Sequence, residues 1–352
     1  MSQHLHGGRV FTAALDLNLP WTAIRDFSAN INPQGQPPGL KEHLFLNFEA
    51  TIHYPEVDAR TLTKVIAQHA GLPETSILSG AGSTPQIRLL SRLIKPQRPV
   101  ILGPAFAEYE ESLNVNGFTP TYVLASLEDE FALTPELVNK TFALQPDLIF
   151  LANPANPTGR LVPPEVLTSL FERAQKAGIK VILDEAFIGF TFGKSSQGLT
   201  LTHPGLIVLR SLTKILAIPG LRLAYLAAHP DLIQRLREHA EPWPINFMAL
   251  EAGIYSLPQK DYLEATPRVT EKLRNMLISR LSPFVTFIPS DTNFVLAKVR
   301  DKEKLIAHLY QKGILVRDCA NFAGIGPDFL RLAVRPEPEQ IDLLEAFEEF
   351  YA

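Results

Sequence analysis

Short apolar runs alternate with helically spaced stretches along most of this chain. The runs 99–102, 148–151, 181–183 and 206–209 are almost wholly apolar, the pattern of strands buried on both faces. Between 59 and 70 the apolar residues Leu62, Val65, Ile66 and Ala70 fall at helical spacing, and Gly71 with Pro73 supplies a stop, which predicts a helix. A second helix is predicted over 164–177, opened by prolines and closed at Gly178. Such segments leave enough chain between successive strands for crossover connections. The pattern therefore predicts an α/β fold, a mostly parallel sheet with helices on both faces.

After about residue 241 the rhythm shifts to long amphipathic helices over 261–281, 302–312 and 338–350, with strands near 293–299 and 329–334. This predicts a smaller α+β C-terminal domain. A chain of 352 residues also exceeds what one hydrophobic core usually organises. The expected organisation is an N-terminal arm and lid over 1–40, a large domain over 41–240 and a small domain over 241–352. Pro20, Pro33, Pro37 and Pro38 break regular structure in the arm, and the Pro-rich stretch 241–244 is the expected hinge. No internal repeat or low-complexity tract interrupts this scheme.

The net charge of −4 offers no broad attraction for nucleic-acid phosphates or an anionic membrane, which favours a small-molecule partner. Cys319 is the only cysteine, so no intrachain disulfide forms, in keeping with a reducing cytoplasm. It reads as a small buried apolar residue. Residues 1–20 carry no basic stretch followed by a long apolar core, and no apolar run reaches the ~20 residues that span a bilayer. Neither export nor membrane insertion is expected.

Four segments carry candidate chemistry. Arg210-Ser-Leu-Thr-Lys214 follows a predicted strand and precedes Arg222. A lysine there can form a Schiff base with an aldehyde, while Ser211 and Arg222 are candidates for holding an anion. Asp184 ends the run 181–183, where loops beyond strand C-termini build ligand sites. A buried carboxylate there would keep a pyridine nitrogen protonated. Ser79-Gly-Ala-Gly-Ser-Thr84 lets backbone amides approach a phosphate at a helix start, and Asn156, in Asn153-Pro-Ala-Asn156-Pro-Thr-Gly159, can aim its amide at a ring oxygen. Read alone, each segment also fits a solvated loop, a cap or an ordinary turn. Together, in one chain order, they form a constellation.

That constellation resembles the fold-type I enzymes dependent on pyridoxal 5'-phosphate (PLP), the aspartate aminotransferase superfamily, over nearly the whole chain. The resemblance implies Lys214 as the cofactor-linking catalytic lysine and Asp184 as the catalytic partner of the pyridine nitrogen. It places Asn156 at the ring hydroxyl, Phe106 stacked on the ring, and Gly82, Ser83, Thr84, Ser211, Thr213 and Arg222 around the phosphate. Tyr54, in His53-Tyr-Pro-Glu56, matches a tyrosine that reaches the cofactor phosphate of a neighbouring subunit, which implies a homodimer with shared active sites.

Within the superfamily, His6-Gly-Gly, Asp26-Phe-Ser-Ala-Asn30-Ile-Asn-Pro33, Phe106-Ala-Glu-Tyr109 and Cys319-Ala-Asn321 resemble the threonine-phosphate decarboxylase family of cobalamin biosynthesis. The activity implied is decarboxylation of L-threonine O-3-phosphate to (R)-1-amino-2-propanol O-2-phosphate. His6, Asn30, Arg317 and Arg331 are then the substrate-binding residues. Histidinol-phosphate aminotransferase is the alternative. That family generally has tyrosine after Asp-Glu-Ala, whereas Phe187 here has no hydroxyl, which favours the decarboxylase. Arg9 after the glycines and Gly189 depart from the decarboxylase pattern.

Overall fold

The apolar runs pair with one another in register at the centre of the molecule. The computed structural model describes residues 7–352. A short strand, β1 (Arg25–Asp26), is followed by β2 (Ile77–Gly80), β3 (Pro99–Gly103), β4 (Thr121–Leu124), β5 (Leu148–Ala152), β6 (Lys180–Asp184), β7 (Leu206–Ser211) and β8 (Ala224–Ala227). Strands β2 to β8 make one sheet in the order β2-β8-β7-β6-β5-β3-β4. The pairs β4/β3, β3/β5, β5/β6 and β6/β7 are parallel, as the spacing predicts, whereas β8 runs antiparallel to both β7 and β2. Between β7 and β8 the chain forms only the four-residue helix Leu212–Ile215, and β8 returns beside β7 in the opposite sense.

Period-two alternation gives each sheet face its own core. Val100, Ile149, Val181, Leu183 and Val208 pack with Leu167, Leu170 and Phe171 of the helix Pro164–Lys176. Ile101, Phe150, Ile182, Ile207 and Leu209 point the other way, against Ile87 and Leu90 of the helix Ser83–Ile94 and Leu113 of the helix Glu108–Val115. With both faces covered, the C-terminal ends of β5, β6 and β7 are where the sheet opens to a ligand.

The remaining strands are β9 (Thr286–Ile288), β10 (Phe294–Lys298), β11 (Ile314–Leu315), β12 (Arg317–Asp318) and β13 (Phe329–Ala333). An antiparallel sheet in the order β12-β13-β10-β9 packs Val295, Ala297, Leu330 and Leu332 against Leu277, Leu305, Leu309, Leu343 and Phe347 of three helices. The N-terminal segment enters this part of the molecule: β1 pairs in parallel with β11, and Phe27 is fully buried in the same core. A helix, Val10–Asp16, also forms within the first forty residues, seating Ala13 and Ala14 against Ile24 and Leu315.

Passage between the two cores runs through the helix Lys260–Leu281, whose Tyr262 packs with the large-sheet side and whose Leu277 and Leu281 pack with the small sheet. The preceding helix Phe247–Ser256 still packs with the large side through Ala249, Leu250 and Ala252. Among the described residues no helix is long and apolar enough to cross a membrane.

Candidate active site

Asp184 ends β6 between Ala152 and Leu209 of the neighbouring strands, so the sheet register alone carries its carboxylate to the open edge. It is buried, and burial pushes its pKa up against three opposing influences: a hydrogen bond from Tyr109, the Ala186 backbone N–H and the charge of Lys214. Tyr109 donates to Oδ2 at 2.7 Å and Ala186 N to Oδ1 at 2.9 Å. The Tyr109 ring stacks on Phe150 at 5.2 Å and meets Phe106 edge-on at 5.9 Å. Phe106, Tyr109 and Asp184 thus form one contiguous group.

Lys214 sits on the single helical turn Leu212–Ile215 that caps β7. Its pKa is pushed down to about 8, first by burial and then by the guanidinium charges of Arg222 and Arg331, with Asp184 pulling the other way. A lysine in that condition supplies a neutral amine near physiological pH. The turn is held from the N-terminal segment: Asn32 donates its backbone N–H to the Lys214 carbonyl at 3.1 Å and its amide to the Ile215 carbonyl at 2.8 Å.

Gly82 precedes the helix Ser83–Ile94 with φ +89°, and a Cβ built there would lie 2.7 Å from Arg222 Nη2. Only glycine lets the guanidinium lie against this backbone. Among the described residues Ser83 Oγ is buried without a hydrogen-bond partner, at a helix start whose first amides have no intrahelical acceptor. Thr84 is half-buried in the same turn. Ser211 and Thr213 share a hydrogen bond of 2.8 Å between their hydroxyls, and Arg222 adopts φ +64° with its side chain exposed. This wall presents hydroxyls, helix amides and a guanidinium, the donor set a phosphate takes.

Asn156, in the loop after β5 of the large sheet, meets Arg331 of β13 in the small sheet. Arg331 Nη1 donates to Asn156 Oδ1 at 2.6 Å and Nη2 to the Ser28 carbonyl at 2.8 Å, while Nε is buried without a partner among the described residues. Using Oδ1 for Arg331 turns the Asn156 Nδ2 end away from the guanidinium. Arg317 stands opposite Arg331 across β12 and β13, donates to Asn321 Oδ1 at 2.7 Å and lies over Phe322. Burial lowers both arginines, Arg331 to about 10; Cys319 pulls both back up, Asp318 adds to this at Arg317, and at Arg331 the Arg317 charge lowers further while Asp26 raises. Asn30 is buried with Oδ1 unpartnered among the described residues.

One sequence candidate lies outside the described residues and another stands apart from this cluster. His6 lies outside the described residues. Tyr54 is 83% exposed, its ring 5.0 Å from Trp243 on the surface of the single chain. Phe187 is buried edge-on against Phe294 at 4.9 Å, and Arg331 lies over the same Phe294 ring. Gly189 packs under Ile215, 3.1 Å from where its Cβ would fall, so a side chain there would press on the lysine turn. Sequence reasoning missed Tyr109, Asn32 and Ser28 as site residues. All three lie in segments already noted for resemblance, but only the fold reveals what each one touches.

Aminotransferase class I and II, as a family profile, matches residues 23–347. The chain belongs to that family. A family relative, the threonine-phosphate decarboxylase of Salmonella typhimurium, is 35% identical over 97% of this chain and 95% of its own. The crystal structure of the histidinol-phosphate aminotransferase from Clostridium acetobutylicum superposes with a TM-score of 0.84 at 28% identity, covering 93% of this chain and 99% of that one. The histidinol-phosphate aminotransferase from Sinorhizobium meliloti, solved in complex with pyridoxal-5'-phosphate, shares the fold with a TM-score of 0.85 at 20% identity, covering 99% and 96% of the two chains. The α/β fold expected from the sequence is the fold of this family.

Proposed function

We propose that the protein is a PLP-dependent threonine-phosphate decarboxylase, a carboxy-lyase of cobalamin biosynthesis. It converts L-threonine O-3-phosphate to (R)-1-amino-2-propanol O-2-phosphate and carbon dioxide. The observation that carries this reading is the 35% identity with the Salmonella decarboxylase along 97% of the chain. Phe187 supports it: a tyrosine hydroxyl is absent at that position, and the ring instead packs on Phe294 beneath Arg331.

The residues fit the cofactor. Ser83 Oγ is an orphaned buried hydroxyl, Gly82 leaves a cradle that a Cβ would fill, and Lys214 is an amine whose charge is suppressed. Gly82, Ser83, Thr84, Ser211, Thr213 and Arg222 would hold its phosphate, Asn156 its ring hydroxyl, Phe106 its face and Asp184 its ring nitrogen. When bound, PLP supplies an electron sink for the pair left as a bond to Cα breaks.

The chain's own groups decide which bond that is. Lys214 provides the amine that reacts with an aldehyde and holds a proton for return to carbon. Arg317 and Arg331 are two buried arginines paired across β12 and β13, like charges whose repulsion falls when a substrate bearing both carboxylate and phosphate enters. Their hold on the substrate fixes which Cα bond is oriented for cleavage. His6 and Asn30 complete the substrate set. Tyr54 serves the neighbouring subunit of a homodimer, and the enzyme works in the cytoplasm.

The test uses purified PLP-loaded protein and two substrates. Carbon dioxide released from threonine phosphate without an oxo-acid is expected. If the protein instead forms only glutamate from histidinol phosphate and 2-oxoglutarate, it is the aminotransferase.

A further inference from the structure

Ser28 makes contacts in two directions that the proposed chemistry does not use. Its backbone N–H and its hydroxyl both donate to Asp26 Oδ1, at 2.9 and 2.5 Å, which fixes the residue at the end of β1. Its Oγ accepts the Gly8 backbone N–H at 2.8 Å, and its carbonyl accepts Arg331 Nη2 at 2.8 Å. One buried serine therefore holds the N-terminal arm by its side chain and a buried guanidinium by its backbone.

Gly7 makes the pairing tight. A Cβ at this position would fall 2.2 Å from the Ser28 carbonyl oxygen, the same atom that receives Arg331. No real side chain tolerates that approach, so the backbone of the arm reaches Ser28 only because position 7 is glycine. The arm also walls a cavity of about 420 Å³ whose lining includes Gly7, Arg9, Thr12, Ser28 and Arg317. Its docking thus bears on the space beside Arg317, while Ser28 ties the arm to Arg331.

We propose that Ser28 is a positioning residue that latches the N-terminal arm to Arg331, with Gly7 as the residue that permits the latch. Arm docking and the placement of Arg331 then form one coupled equilibrium. An anion held by Arg331 stabilises the docked arm, and a docked arm favours the anion by the same factor. The coupling to substrate rests on the reading of Arg331 as a substrate-binding group; the latch itself rests on the contacts alone.

The test reads the arm directly. Arg9 is exposed beside the latch, so trypsin cleaving after it reports how often the arm opens. Ser28→Ala loses the hydroxyl's bonds to Asp26 and from Gly8; loss of the second, the one that holds the arm, predicts cleavage about 2- to 10-fold faster than in the wild type, without any substrate. The Michaelis constant for threonine phosphate is expected to rise by a similar factor with kcat little changed, and protection of Arg9 by threonine phosphate should weaken. Gly7→Ala, in the arm and outside the core, should move cleavage and the Michaelis constant the same way, and carries the test if Ser28→Ala folds poorly. Cleavage at the wild-type rate in Gly7→Ala, or in a folded Ser28→Ala, overturns the latch. Wild-type protein that releases no carbon dioxide overturns the decarboxylase reading instead, and leaves the substrate-free protease comparison intact.

Discussion

Tyr109 donates its phenolic hydrogen to Asp184 Oδ2 across 2.7 Å, with both residues buried beneath the open edge of the sheet. Burial pushes the Tyr109 pKa far up, so the phenol stays a donor. The bond favours the ionised carboxylate against the burial that opposes it. Tyr109→Phe keeps the stack on Phe150 and removes only the hydroxyl, so the Asp184 pKa should rise further. Hydrogen bonds to charged groups are worth ~1.5 to 3 kcal/mol, which predicts a fall in kcat of about 10-fold or more. The acid limb of the pH–rate profile should move to higher pH. An unchanged limb in Tyr109→Phe would show that the charge of Asp184 does not govern the rate.

Lys214 offers a prediction in the opposite pH direction. Its pKa of about 8 against an ordinary 10.5 means that the folded chain gives up this proton first. At pH 7 the neutral amine should be about 300-fold more abundant than for an ordinary lysine. Addition of pyridoxal, which lacks the phosphate, to the apoprotein should therefore accelerate through about pH 8 and plateau above it. Arg222→Gln removes a positive neighbour and should shift that midpoint upward. The sign for stability follows from proton counting: the unfolded chain keeps the proton longer, so this group's contribution to apoprotein stability rises from about pH 8 toward 10.5. Lys214→Ala should abolish pyridoxal addition.

The strand ends that carry Asp184, Asn156 and Lys214 were legible because apolar runs buried on both faces announce themselves, and the polar residue that ends such a run stands out. Local turns with Gly82 and Asn156 were legible for the same reason. What stayed hidden depends on contacts distant in sequence. Tyr109 reaches Asp184 from a helix, and nothing in the sequence around either residue reports the meeting. Ser28 touches Gly8 and Arg331 from two ends of the chain. The proline-rich first forty residues read as an arm, yet Arg25–Asp26 pairs with Ile314–Leu315 and Phe27 enters the small-sheet core, because a two-residue strand leaves no periodicity to detect. The antiparallel β8 was missed because the short run Ala224–Ala227 reports burial and carries no sign of its direction.

Gly82→Ala tests the phosphate wall. The backbone stands at φ +89°, where an L side chain is strained by ~1 to 3 kcal/mol, and the new methyl would press on Arg222 Nη2 at 2.7 Å. The guanidinium is the end of a flexible side chain and would give way, so the protein should fold while Arg222 loses its seat. Retention of PLP during dialysis should fall by about 5-fold or more, given that strain. Retention equal to wild type would place the phosphate elsewhere.

Tyr54 permits a test of the shared site that does not depend on measuring mass. Phe45, Leu46, Ile52 and Tyr54 are each at least 80% exposed on one short stretch, more large apolar surface than a lone chain usually leaves in water. In the proposed homodimer this stretch is covered, and Tyr54 works in the neighbouring subunit's site. Tyr54→Ala and Lys214→Ala should each be impaired alone. Mixed under conditions that exchange subunits, they form heterodimers in which one site has both Lys214 and Tyr54 and the other has neither. Random exchange in a twofold dimer predicts recovery to about one quarter of wild-type activity. If Tyr54 instead served its own chain, every site in the mixture would lack one of the two residues, and mixing would restore nothing.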